Sequence, residues 1–195
     1  MKSISLSKIG GRAILAAAFV ALSSCATMTK DECQTADWYK RGEQDGAGGK
    51  ATSYIGEHRR SCADHKLPVD EGRWHAGWEQ GIRLYCTPEN GLQQGRNGNY
   101  YANSCPADLK YGFESAYSVA KEVHDARSAR DSIQSELDSL MRDLRKAEKP
   151  EDRSRLEDKI ESRRFALRTA ERRTWDAERD YDVYVSSRGM MSRRW

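Results

Sequence analysis

Four times along this chain an aromatic residue stands with small residues spaced three or four apart: Trp38-Gly42-Gly46, Trp74-Gly77-Gly81-Tyr85, Gly91-Gly95-Gly98-Tyr101 and Phe113-Ala116-Ala120. Such spacing puts the small positions on one face of a helix, where missing side chains let a second helix approach closely. Each interior glycine costs a helix about 1 kcal/mol relative to alanine, so short helices of this composition do not stand alone. In the third unit, Asn90-Gly91 and Asn97-Gly98 also permit turns, while Thr87-Pro88-Glu89 reads as a helix start with proline in the first turn.

Covalent closure can offset the glycine cost. The chain has five cysteines, at positions 25, 33, 62, 86 and 105. Setting Cys25 aside leaves an even number, Cys33, Cys62, Cys86 and Cys105, as expected of disulfides in an exported chain. Of the three possible connectivities, the sequential one is expected, Cys33 with Cys62 and Cys86 with Cys105, because Cys86 and Cys105 end neighbouring units. Each such loop contributes about 3–4 kcal/mol in the chain-entropy account.

Cys25 is set aside because of what precedes it. Lys2, Lys8 and Arg12 form a basic start, Ala13 to Leu22 an apolar run too short to span a bilayer, and Leu22-Ser23-Ser24-Cys25 resembles the lipobox of bacterial lipoproteins. That resemblance implies cleavage after residue 24 and acylation of Cys25, giving a membrane anchor of several chains, palmitate among them. Ala26, not Asp, follows it, so the expected location is the outer membrane of a Gram-negative cell, on the periplasmic side. Residues 25–32 then read as the acylated cysteine and a polar tether. The three basic residues of the leader equal the whole formal charge of +3, and residues 1–24 contain no acid. The remaining chain is thus near neutral and lacks the basic excess that nucleic-acid binding requires.

From Ser104-Cys105-Pro106 the pattern becomes that of a long helix: Leu109, Phe113, Ala116, Ala120, Val123, Ala126, Ala129, Ile133, Leu137, Leu140, Leu144 and Ala147. Consecutive steps of three around Ala126 should disturb any supercoil there. Lys149-Pro150-Glu151-Asp152 breaks the helix and starts another, carrying Leu156, Ile160, Arg163, Leu167, Ala170, Thr174, Ala177, Tyr181 and Tyr184 in alternating steps of four and three. The spacing predicts an antiparallel coiled-coil hairpin over 106–186 that sets Leu144 near Leu156 and Leu137 near Arg163. Arg163 is the weak layer, its head expected to reach an acid such as Glu136. Residues 187–195 form a short basic tail.

The fold class expected is therefore all-α: a small disulfide-stapled domain of short glycine- and aromatic-rich helices, about 33–120, extended by a long helical hairpin. Its chemistry is sparse. His58, Cys62 and His65 have helical metal-ligand spacing, but an oxidising compartment favours a disulfide at Cys62, so no metal and no cofactor are expected. There is no G-x-S-x-G, H-E-x-x-H or S-x-x-K motif. Asp37, Glu43, Asp45, Glu79 and Glu89 could supply a carboxylate pair for glycan hydrolysis, but Asp37 and Glu89 fall where helix caps and first-turn acids belong. Trp38, Trp74, Trp78, Tyr100 and Tyr101 are the candidate binding face for a sugar or peptide, with burial in an aliphatic-poor core as the simpler reading.

At Cys33, Asp37-Trp38, Gly42, Asp45-Gly46, Cys62, Asp70, Gly77, Gly81, Tyr85-Cys86-Thr87, Asn90-Gly91, Gly95, Gly98, Tyr101, Cys105-Pro106, Phe113 and Tyr117 the chain resembles a family of uncharacterised bacterial lipoproteins, domain of unknown function 2799. The similarity covers roughly 33–120, implies lipid attachment and supplies no catalytic residues. The expected role is non-catalytic, structural or protein-interactive in the cell envelope. The hairpin would meet an envelope protein, its arms of about 35 residues reaching roughly 50 Å. A peptidoglycan-binding module using the aromatic face is one alternative, and an envelope hydrolase another.

Overall fold

The structure is a computed structural model and describes residues 27–189. Among these residues there are seven α-helices, one 3-10 turn and no strand, so the chain is all-α as expected. In order they are α1 (Lys30–Thr35), α2 (Trp38–Ala47), the 3-10 turn Thr52–Tyr54, α3 (Ile55–Ala63), α4 (Glu71–Tyr85), α5 (Pro88–Arg96), α6 (Ala107–Lys146) and α7 (Pro150–Ser187).

The helix starts are set locally. Asp37 caps α2 by accepting from the amides of Tyr39 and Lys40, Asp70 caps α4 through Arg73, and Thr87 caps α5 through Asn90 with Pro88 in the first turn. The third unit is thus a helix through Asn90-Gly91, and its turn comes only at Asn97-Gly98. There α5 closes as α2 does. Gly98 (φ 69°) and Gly49 (φ 74°) take the left-handed conformation after each helix, where side-chain-bearing residues are disfavoured.

The small stripes are where the helices meet. A Cβ on Gly42 would fall 1.9 Å from the Trp74 carbonyl oxygen, and one on Gly77 1.8 Å from that of Tyr39. Gly46 meets Trp78 and Ile82 in the same way, and Gly81 meets Glu43 and Ala47. Contacts advance together along both chains, so α2 and α4 run parallel, each notched to receive the other's backbone. The unit repeats: Gly91 lies against Phe113 and Ala116, Gly95 against Tyr117 and Ala120, making α5 and α6 a second parallel pair.

Two disulfides tie these pairs, Cys33 to Cys62 and Cys86 to Cys105, the sequential connectivity. The first joins α1 to α3; the second joins the segments just before α5 and α6. Around them one core gathers Met28, Trp38, Ile55, Trp74, Trp78, Ile82, Tyr85 and Phe113.

Helices α6 and α7 form the hairpin, bent at residues 147–149. Arg163 Nε lies 3.0 Å from Glu136 Oε1, the pairing and level that the heptad pattern implied. Arg153 donates to the carbonyls of Leu144 and Ala147, closing the end of α6. At the other end Val185 is buried with Leu92, Ala116 and Ala120, so the returning arm is packed into the domain. His124, whose Nδ1 lies 3.0 Å from the Arg96 carbonyl, is the last contact of α6 with the domain, and beyond it the hairpin runs free for about 33 Å at 1.5 Å per residue. Where the steps of three occur, Ala129 has rotated out of the seam and is exposed.

One expectation is corrected. Residues 27–32 are not a tether. Met28 is 2 % exposed within the core, and Thr29 and Glu32 form a capping box at the start of α1. Cys25 and Ala26, and residues 190–195 of the basic tail, lie outside the described residues.

Candidate functional site

The densest polar cluster lies beneath α3. Asp45 on α2 accepts through Oδ2 from the Trp74 indole N–H and from His58 Nε2, both at 2.8 Å. His58 Nδ1 lies 2.9 Å from Thr27 Oγ1, which lies 3.2 Å from Ser61 Oγ, and the Thr27 amide donates to that same Ser61 oxygen at 2.9 Å. A carboxylate only accepts, so Nε2 carries a proton, and Nδ1 pairs with the Thr27 hydroxyl. Every member is thereby satisfied, as a buried network must be.

The order acid, imidazole, hydroxyl is that of a nucleophilic triad. The surroundings are not. His58 is 2 % exposed, Tyr54 meets its ring edge at 5.1 Å, and both ring nitrogens are engaged within the protein. Thr27 Oγ1 is itself tied to Ser61. The cluster clamps the amino-terminal segment to α2, α3 and α4. Burial, reinforced by the carboxylates of Asp45 and Glu57, pushes the Tyr54 hydroxyl above its ordinary value of 10.0.

The candidate aromatic face is not assembled. Trp38, Trp74 and Trp78 are buried, Trp74 at 0 % exposure, with Trp78 donating to the Lys50 carbonyl at 2.7 Å. Tyr101 packs on Phe113 with centroids 4.8 Å apart and accepts from the Cys105 amide, and burial raises its hydroxyl. Tyr100 alone of the five is open, at 88 % exposure. Aromatics are drawn inward because the notched helices offer few aliphatic side chains to fill the space between them.

The other candidates resolve locally. Cys62 is a disulfide partner and not a thiolate, so the His58, Cys62, His65 spacing has lost its sulfur ligand, and no group of three or more potential metal ligands occurs among the described residues. Asp37 is a cap and Glu89 a first-turn acid. Asp45 belongs to the clamp. What sequence reasoning missed is Thr27, and the signal that could have found it is the Thr29-x-x-Glu32 spacing, which marks ordered structure already at residue 29.

Residues 37–122 match the family model described as Protein of unknown function (DUF2799). This stretch is a DUF2799 domain. No curated protein and no solved structure matches the chain. The match begins at the cap of α2 and ends just after the last small residue of the second pair, so the DUF2799 domain coincides with the two notched pairs. Cys33 lies outside the matched stretch yet bridges into it at Cys62.

Beyond the DUF2799 domain, the hairpin also carries open apolar side chains. Phe165 is 66 % and Trp175 61 % exposed. On the face turned toward Phe165, a groove of about 510 Å³ is lined by Ala126, Ala129, Ile133, Ala166, Thr169 and Ala170, with Glu122, Asp125 and Arg173 at its base end. It opens where the departure of Ala129 from the seam leaves the two arms incompletely packed.

Proposed function

We propose that the protein is a lipid-anchored lipoprotein of the outer membrane, facing the periplasm, with a structural or protein-interaction role and no catalysis. In this reading Cys25 carries the lipid, the DUF2799 domain is a rigid base, and the hairpin, packed as a coiled coil, is the contact element. The observation that carries it is the hairpin's form: about 33 Å of free length, a base fused to the domain through Val185, and an apolar groove bordered by the exposed Phe165. Phe165 and the groove form one contiguous apolar patch rimmed by Glu122, Asp125 and Arg173, the kind of surface that marks a protein contact.

The reading is tested in two parts. Intact-mass analysis of the protein from the membrane fraction should show a chain starting at Cys25 with added acyl mass, abolished by Cys25→Ser; a retained leader or an unmodified cysteine contradicts the anchor. Replacing both Phe165 and Trp175 by Ser should leave the domain's stability unchanged while removing its co-purifying partner. A partner retained at native yield would contradict the hairpin's role.

A further inference from the structure

Thr27 is the first described residue, and it is fixed. Its amide and hydroxyl both engage Ser61, its hydroxyl engages His58, and the next side chain, Met28, is inside the core next to the Cys33–Cys62 bridge. A chain whose first secured point was Cys33 would have seven residues of slack after Cys25, about 25 Å when extended. Secured at Thr27, it has two Cα steps, at most about 7 Å. That is close to the thickness of the polar layer of one bilayer leaflet, roughly 5–7 Å.

We infer that the surface around Thr27, formed by α3 and the turn that follows it, is held against lipid headgroups. This rests on the reading that Cys25 is acylated. Acyl chains in the hydrocarbon put the Cys25 sulfur at its boundary, so Thr27 emerges at the outer edge of the headgroups and the α3 face emerges with it. The domain cannot lift away without extracting Met28 from the core and breaking the Thr27 hydrogen bonds. On α3, Arg59 pairs with Glu71 at 2.7 Å and Arg60 with Glu57, and in the turn that follows the exposed Asp64 and Lys66 balance in charge. The contact is enforced by chain geometry, with no need for anionic lipid.

The test uses the full chain, acylated in cells and reconstituted into phosphatidylethanolamine/phosphatidylglycerol vesicles carrying a headgroup-labelled acceptor lipid. A fluorescent amino acid is placed at His65, which is exposed one turn beyond Ser61. Strong energy transfer is expected, falling at least about twofold when a twelve-residue Gly/Ser spacer, roughly 20 Å in root-mean-square span, is inserted between Ala26 and Thr27. Transfer should persist when phosphatidylcholine replaces phosphatidylglycerol. Equal transfer with and without the spacer would overturn the headgroup contact while leaving the anchor intact, and transfer lost with phosphatidylglycerol would overturn its geometric origin. An unacylated chain, detected by mass, would overturn the anchor itself and the contact with it.

Discussion

Replacing Gly77 by alanine tests the notched packing on which the domain depends. The new Cβ would sit 1.8 Å from the Tyr39 carbonyl oxygen and 2.9 Å from the Glu43 amide nitrogen. Both are backbone atoms of α2, so no rotamer change relieves the clash. Restoring ordinary contact at about 3.4 Å requires α2 and α4 to part by roughly 1.6 Å, well past the 0.5–1 Å gap that already forfeits a quarter to a half of a dispersion contact. Overpacking typically costs about 1–3 kcal/mol and more when backbone must move; the gain in helix propensity returns about 1 kcal/mol. With both clashing atoms on backbone the cost falls at or above the upper end of that range, so the net expectation is a loss of about 2 kcal/mol or more, read as a lower urea midpoint with both disulfides intact. Gly112→Ala is the control. Its Cβ would meet only Pro88 Cγ, at 3.5 Å, so the same chemistry should stabilise by up to about 1 kcal/mol. If Gly77→Ala were neutral, or if both variants lost stability equally, the claim that backbone contact selects these glycines would be wrong.

Thr27→Val removes the hydroxyl that satisfies His58 Nδ1, and should cost about 1–3 kcal/mol in urea unfolding; a tether residue would cost nothing, and that null result would undo the clamp. Replacing the pair Cys33 and Cys62 by Ala should lower stability by about 3–4 kcal/mol, as should replacing Cys86 and Cys105, for loops spanning 29 and 19 residues; a much smaller loss would mean that burial alone holds the notched pairs. Burial raises the hydroxyls of Tyr54, Tyr85 and Tyr101 above 10.0. Because the fold favours their neutral form, this stabilisation is full below the unfolded value near 10 and is lost as pH rises through the folded values. Phenolate absorbance should therefore reach its plateau at higher pH in the native chain than in denaturant, and coincident curves would contradict the burial of these three rings.

Much of this architecture was legible because it is local. Asp37, Thr87 and Glu89 act within one turn of their own helices, and Arg163 found Glu136 because a heptad read from Pro150 outward sets levels without further information. The glycine spacing identified which faces are notched, but not that α2 pairs with α4 in parallel, since that depends on where α3 returns the chain. The tryptophans show the same limit. Trp74 and Trp78 have the periodicity of either a core or an exposed platform, and only the closeness of α2, permitted by Gly42 and Gly46, decides for the core. Thr27 escaped because polar residues before a cysteine read as linker, and the atoms that hold it, on His58 and Ser61, are more than 30 positions away.

In the proposed role, a membrane-held domain presents its hairpin to another protein of the envelope. Photo-crosslinking in living cells, with the probe at Phe165 beside the groove and a second at Lys149 on the bend, tests it most directly. One discrete protein adduct is expected at Phe165, lost when Cys25→Ser releases the chain from the membrane. Adducts with lipid or cell-wall fragments only, or none at either position, would contradict it.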